Sequence, residues 1–186
     1  MDARRVAAEA TRERILAAAR EAFLHRWYDE VTIGSIAKEA GVSGQTVLNH
    51  FGDKEGVFTA AAERFNIEVR SVRWNATPGD VDSVIAALIE DYEVTGDGVI
   101  RALASEERVP SLRPLLKQGR AGHRQWVEDM FPRPDLVLEL ILATDVYAWK
   151  LLRRDQGLSP EATHESICRT VNALLALPPR DEESNR

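Results

Sequence analysis

The chain has 186 residues, 44% of them apolar, enough for one compact unit or two closely packed subdomains. Its formal net charge is −6, from 30 Asp/Glu against 24 Lys/Arg, which argues against a protein that coats nucleic acid without sequence preference. The single cysteine, Cys168, excludes an internal disulfide and fits a reducing compartment; with no apolar run of about 18 residues and no signal-peptide core after Met1, a soluble cytoplasmic protein without membrane association is expected.

No stretch alternates as a strand does, and the apolar periodicity predicts an all-α protein of about nine helices. The first, about residues 7–26, carries Ile15, Ala18, Ala19, Ala22 and Phe23 on its core face. Thr32 caps the second, about 33–40, where Ile33, Ile36, Ala37 and Ala40 share one face. Gly41 follows where a helix end favours a left-handed residue. Ser43 caps the third, about 44–50, which buries Val47 and turns Gly44, Gln45, Leu48 and Asn49 outward. Phe51 returns to the core, and Asp53 caps the fourth, about 53–74, with Val57, Phe58, Ala61, Phe65 and Val69 on one stripe. A fifth helix spans about 80–94, Gly96-Asp97-Gly98 is expected to break the chain, and a sixth runs about 98–107. A seventh runs from about Pro110 to Met130, and an eighth covers about 134–155 after Pro132 and Pro134. Gly157, Ser159 and Pro160 mark a C-cap, an N-cap and a first-turn proline, so the ninth covers about 160–177. Residues 178–186 form a charged tail that is expected to be disordered.

Two short helices around Gly41, the second polar on its outer face, have the size of a helix-turn-helix whose second helix enters the major groove. The spacing suits an ordinary helical hairpin equally well. The residue identities are more specific. Val31-Thr32, Ile36-Ala37, Ala40-Gly41-Val42-Ser43, Thr46, His50-Phe51 and Lys54-Glu55, with the preceding helix and Tyr28, closely resemble the amino-terminal signature of the TetR family, the tetracycline-repressor-like one-component regulators. The resemblance covers residues 11–58. It implies a three-helix DNA-binding head over 1–55 and a helical ligand-binding and dimerisation domain over 56–177.

Gln45 and Asn49 are the exposed amides of the third helix, each able to make a bidentate contact to adenine. Gly44 allows close backbone approach. The resemblance places Thr32, Thr46, His50 and Lys54 at positions that commonly touch phosphate, and Lys54 lies where free helix N–H groups also favour an anion. The plainer readings are a cap alone for Thr32, core contact for His50 and solvated surface for Gln45 and Asn49. Three residues depart from the family. Leu48 replaces a frequent phosphate-binding tyrosine and is left to touch a thymine methyl. Gly34 stands where some members carry a base-reading arginine, and Trp27 where a glycine usually closes the first helix. Arg4 and Arg5, on an amino-terminal arm, are expected to supply part of the missing attraction.

The eighth helix carries two apolar stripes, Leu136, Leu140, Ala143, Tyr147 and Leu151 beside Val137, Ile141, Ala148 and Leu152. The ninth adds Ile167, Cys168, Val171, Leu174 and Leu175. Core burial explains such arcs, and the resemblance points to a homodimer built from helices 134–155 and 160–177. Two heads would then read a palindromic double-stranded DNA operator with half-sites about 34–36 Å apart or a multiple of that. The resemblance also implies a repressor released by a small, largely hydrophobic effector. Phe65, Tyr92, His123, Trp126, Met130, Tyr147 and Trp149 are the candidate lining, with core contact the alternative for each. Gly119 and Gly122 are expected to admit something bulky, a crossing helix or a ligand, and Asp145, in the apolar middle of the eighth helix, needs a partner if buried, across the dimer or from a ligand. The alternative function is a DNA-binding module that recruits a protein partner without a small-molecule inducer. The four histidines, 25, 50, 123 and 164, show no mutual metal-ligand spacing, and His-Glu-x-x-His, Gly-x-Ser-x-Gly and phosphate-cradling loops are missing. No enzyme, cofactor or metal is expected.

Overall fold

The computed structural model describes residues 3–179, so the expected disorder of residues 180–186 lies outside the described residues. The helices are α1 (Ala3–His25), α2 (Ile33–Ala40), α3 (Gly44–Phe51), α4 (Lys54–Arg73), α5 (Val81–Ser105), α6 (Arg113–Met130), α7 (Val137–Thr144), α8 (Val146–Lys150) and α9 (Pro160–Leu175). Among the described residues there is no strand, and no helix is long and apolar enough to cross a membrane. The described residues form two compact units, one of residues 3–68 with 97–117 and one of 69–96 with 118–179.

In the first unit, Ile15, Ala19 and Ala22 of α1 meet Ile36 and Ala37 of α2, Val47 of α3 and Val57 of α4 in one apolar cluster. Ile36 and Val47 have no exposed surface, and each contributes about 1.5–3 kcal/mol by burial. A neighbouring cluster joins Phe58 to Val109, Leu112 and Leu116, with Phe23 and Tyr28 against it. These contacts explain why residues 97–117 belong with the amino-terminal helices. Gly98 serves the same closeness: a Cβ there would stand 2.9 Å from Leu24 Cδ2.

The second unit has Val84, Ile85 and Leu88 of α5, Trp126 and Val127 of α6, Leu140 of α7 and Trp149 of α8 among its buried side chains. Its Gly96 sits against Trp149, where a Cβ would lie 2.4 Å from the ring.

Several expectations are corrected. Arg4 and Arg5 lie in the first turns of α1 rather than on an arm. The break at Gly96-Asp97-Gly98 does not occur, because both glycines serve close packing inside a continuous α5. The expected helix 134–155 is instead divided at Asp145, whose extended backbone (φ −65°, ψ 151°) ends α7. Asp145 is half-buried, and its carboxylate accepts from Tyr147 N at 2.8 Å and caps α8, a local partner rather than one across a dimer or on a ligand. Residues 151–155 follow as a wider π turn. Gly119 and Gly122 have nothing within 4 Å of an added Cβ, so neither is required by a crossing helix.

Candidate nucleic-acid interface

The head is set by its caps. Thr32 Oγ1 accepts from Ser35 N at 3.0 Å while Ser35 Oγ accepts from Thr32 N at 3.1 Å, a reciprocal pair that starts α2. Gly41 closes α2 with φ 66°, in the left-handed region that glycine occupies without strain. Ser43 Oγ accepts from Thr46 N at 3.1 Å and lies 2.9 Å from Thr46 Oγ1. Val47 is the buried residue of α3, so the helix is rolled with Gln45, Leu48 and Asn49 exposed. A Cβ on Gly44 would meet only Ile33 Cγ2 at 3.8 Å, so nothing inside the protein demands glycine there.

The outward amides are paired with each other. Gln45 Nε2 donates to Asn49 Oδ1 at 2.9 Å, a one-turn contact on the helix surface. This consumes one donor and one acceptor and leaves Gln45 Oε1 and the Asn49 amide hydrogens for base edges. Leu48, 37% exposed, lies beside them as an apolar patch. Thr32 is exposed and Thr46 half-buried. His50 is half-buried and tilted against the Phe51 ring, with centroids 6.0 Å apart. Arg12 lies over the other partner of that pair, 4.5 Å from the Phe51 centroid. Lys54 also has a partner inside the protein: its ammonium donates to the Tyr28 carbonyl at 2.5 Å and stands over the Tyr28 ring. Trp27 has an extended backbone and starts a short 3₁₀ turn, Tyr28–Glu30, so the missing glycine is replaced by a different turn.

Residues 15–61 match the family described as bacterial regulatory proteins, tetR family. The chain is 27% identical over 177 residues to the HTH-type transcriptional repressor BepR of Brucella suis biovar 1, covering 92% of this chain and 81% of that protein. It is 30% identical over 74 residues to the HTH-type transcriptional regulator BetI of Stenotrophomonas maltophilia, covering 36% of this chain and 38% of that protein. The fold is shared with a crystallised transcriptional regulator from Rhodococcus sp. Rha1 at a TM-score of 0.66 and 18% identity, covering 90% of this chain and 99% of that one. Residues 15–61 thus carry the amino-terminal domain of the TetR family. The protein is a DNA-binding transcriptional regulator.

In this regulator the candidate ligand residues are divided between the two units. Phe65 belongs to the first unit, where Arg20 approaches its ring at 5.8 Å. Tyr147 is 54% exposed. Tyr92, His123, Trp126 and Trp149 do share the second unit, and Met130 is buried there. Trp149 lies 5.8 Å from Tyr92, and His123 stacks on Trp126 at 5.5 Å.

Between these rings is a residue that the sequence pattern did not reveal. Arg73, buried, donates to Asp91 at 2.6 Å and lies over the rings of both Tyr92 and Trp126, at 4.7 and 5.4 Å. Asp91 also accepts from Thr95 at 3.0 Å. Arg73 Nη1 is 3.1 Å from His123 Nδ1. Since a guanidinium only donates, Nδ1 must accept and the proton sits on Nε2, 3.2 Å from Thr144 Oγ1. That hydroxyl donates to the Leu140 carbonyl at 2.7 Å. Burial, helped by the Arg73 cation, pushes His123 down to about 3, so the ring is neutral. Burial likewise pushes the Tyr92 hydroxyl up to about 12, and it donates to the Thr144 carbonyl at 3.1 Å. Only the i, i+4 spacing of Asp91 and Thr95 on α5 hinted at this network.

Proposed function

We propose that this regulator is a cytoplasmic repressor that binds a palindromic operator as a homodimer and leaves it on taking up a small, largely apolar ligand. The observation that carries the reading is the outward face of α3, where Gln45, Leu48 and Asn49 stand exposed next to Thr46 and on the same head as Thr32. A short helix rolled in this way suits the major groove, with the amides reading bases and the hydroxyls, His50 and Lys54 directed to the backbone. Gly44, which nothing in the protein requires, leaves room for the nucleic acid at the start of the helix.

The dimer is supported by an apolar surface on α7, α8 and the turn that follows. Leu138, Leu142, Tyr147 and Leu151 are 69%, 74%, 54% and 51% exposed. So much apolar surface in one region is typical of an interface, and a two-fold copy of helices 134–155 and 160–177 would cover it. Repression is supported by the resemblance to BepR, a repressor by name. The aromatic residues Tyr92, Trp126 and Trp149 with His123 and Arg73 offer stacking surface and a cation to an effector.

Selection on random duplex DNA tests the operator: an inverted repeat is expected, and enrichment of no palindrome sinks the reading. Light scattering tests the dimer, with Leu142→Glu expected to give monomers. Thermal shift against a panel of apolar metabolites tests the ligand, and a hit must also release DNA in a mobility-shift assay.

A further inference from the structure

Three donor atoms of different chemistry converge at the surface of the second unit. His164 and Cys168 lie four residues apart, on one face of α9. Asp82 lies in the first turn of α5. His164 Nε2 is 3.5 Å from Cys168 Sγ and 3.6 Å from Asp82 Oδ1, and one ligand atom from each residue falls within 4.8 Å of the other two. The histidine and cysteine are half-buried and the aspartate is exposed.

These separations can be compared with what a metal requires. Zinc binds sulfur at about 2.3 Å, imidazole nitrogen at about 2.0–2.1 Å and carboxylate oxygen at about 2.0–2.2 Å, which in a tetrahedron puts ligand atoms roughly 3.3–3.6 Å apart. Both distances from Nε2 fall at the upper edge of that range, and the same nitrogen faces both partners. The donor set, one thiolate, one imidazole and one carboxylate, suits a borderline-soft divalent ion and not magnesium or calcium, which take oxygen. The exposed side leaves room for water as a fourth ligand.

We propose that Asp82, His164 and Cys168 form a binding site for a divalent d-block cation, with Zn²⁺ the best chemical match. Without metal, His164 Nε2 lies 3.1 Å from the Asp82 carbonyl oxygen and donates to it. Binding moves the ring proton to Nδ1 and releases the Cys168 thiol proton to solvent, so nitrogen and sulfur each present a lone pair. The ion then ties the start of α5 to the middle of α9, elements distant in sequence, and favours the folded arrangement of this unit. The site is independent of the apolar effector proposed above. Its sequence signal, His164-x-x-x-Cys168, passes unnoticed when histidines are compared only with one another.

Cobalt reports directly on the ligands. Reduced, metal-free, full-length protein titrated with CoCl₂ is expected to take up one equivalent per chain and to show both thiolate-to-cobalt charge transfer and the intense d–d bands of a four-coordinate ion. One equivalent of ZnCl₂ should abolish both and raise the thermal midpoint. Cys168→Ser should remove the charge-transfer band. His164→Gln and Asp82→Asn should each weaken Co²⁺ and Zn²⁺ affinity by more than about tenfold, the lower range for loss of even an outer partner in such sites. Circular dichroism checks that the variants keep their helices, and Asp82→Asn, at an exposed position, keeps the test informative if another variant does not fold. A wild-type protein with no charge-transfer band overturns the site. So does unchanged affinity in both His164→Gln and Asp82→Asn, which would mean capture by a lone thiol.

Discussion

Lys54 and Tyr28 are locked together: the Lys54 ammonium donates to the Tyr28 carbonyl at 2.5 Å and lies 4.1 Å from the centre of the Tyr28 ring. Desolvation holds this lysine below the usual range, with the Asp29 charge partly opposing it. A residue expected to touch phosphate therefore also fastens the turn after α1 to the start of α4. An ammonium has three donors, so two remain for DNA. Lys54→Ala is expected to lower stability by about 1–3 kcal/mol through the lost charged hydrogen bond and ring contact. It should also flatten the slope of log K against log salt by about 0.9. Urea unfolding and DNA titrations at several salt concentrations measure the two effects, and an unchanged slope would confine Lys54 to the structural part.

Gln45 and Asn49 act as a unit because each orients the other. Replacing either by Ala is expected to change base preference by about 1–3 kcal/mol at the contacted pair. The double variant should lose less than the sum, by at least about 0.5 kcal/mol. Binding of single-base operator variants reads this, and strict additivity would count against a shared contact.

Two glycines of the first unit should respond in opposite ways. A Cβ on Gly56 would fall 2.1 Å from the Phe51 carbonyl oxygen, backbone that cannot give way cheaply. Gly56→Ala is expected to be strongly destabilising in thermal melts. Gly44→Ala meets only an ordinary contact and should leave stability equal or raise it by up to about 1 kcal/mol. Its DNA affinity should fall nonetheless if the α3 backbone closely approaches the duplex. Normal affinity would remove Gly44 from the interface.

The Arg73–Asp91 pair is buried, so loss of one partner leaves an uncompensated charge. Asp91→Asn is expected to cost about 3–5 kcal/mol. The joint change Arg73→Met with Asp91→Leu should cost less than Asp91→Asn alone, as measured by chemical denaturation.

His123 gives a pH signature. Folded, it takes up a proton only near 3, against an ordinary value of 6.5. Below about 6.5 the unfolded chain binds the extra proton, so this residue's contribution to stability is present at neutral pH and falls by about 1.4 kcal/mol per pH unit as acid is added. Above about 6.5 it adds no pH dependence. In His123→Gln, stability should fall less steeply between about pH 6.5 and 5 than in the wild type, and parallel curves would contradict a neutral, enclosed ring.

The head was legible in the chain because its signals are local. Thr32, Gly41 and Ser43 act on backbone within one turn, and Ile36, Ala37 and Val47 recur at helical spacing, so α2 and α3 emerge close to their expected limits. The second unit was harder to read because its signals are not local. Gly96 reads as a breaker until Trp149, distant in sequence, is found against it. Asp145 reads as a buried charge until its carboxylate is seen capping α8.

Sequence by itself determined the all-α class, the helix-turn-helix and the outward position of Gln45 and Asn49, since short-range hydrogen bonds and a 3.6-residue period suffice for each. Tertiary structure alone decided that Lys54 folds back on Tyr28, that Arg73, Asp91 and His123 share one buried network, and that Asp82 meets His164 and Cys168. Those relationships join residues on different helices, and no periodicity along a single helix encodes which side chain a second helix brings beside it.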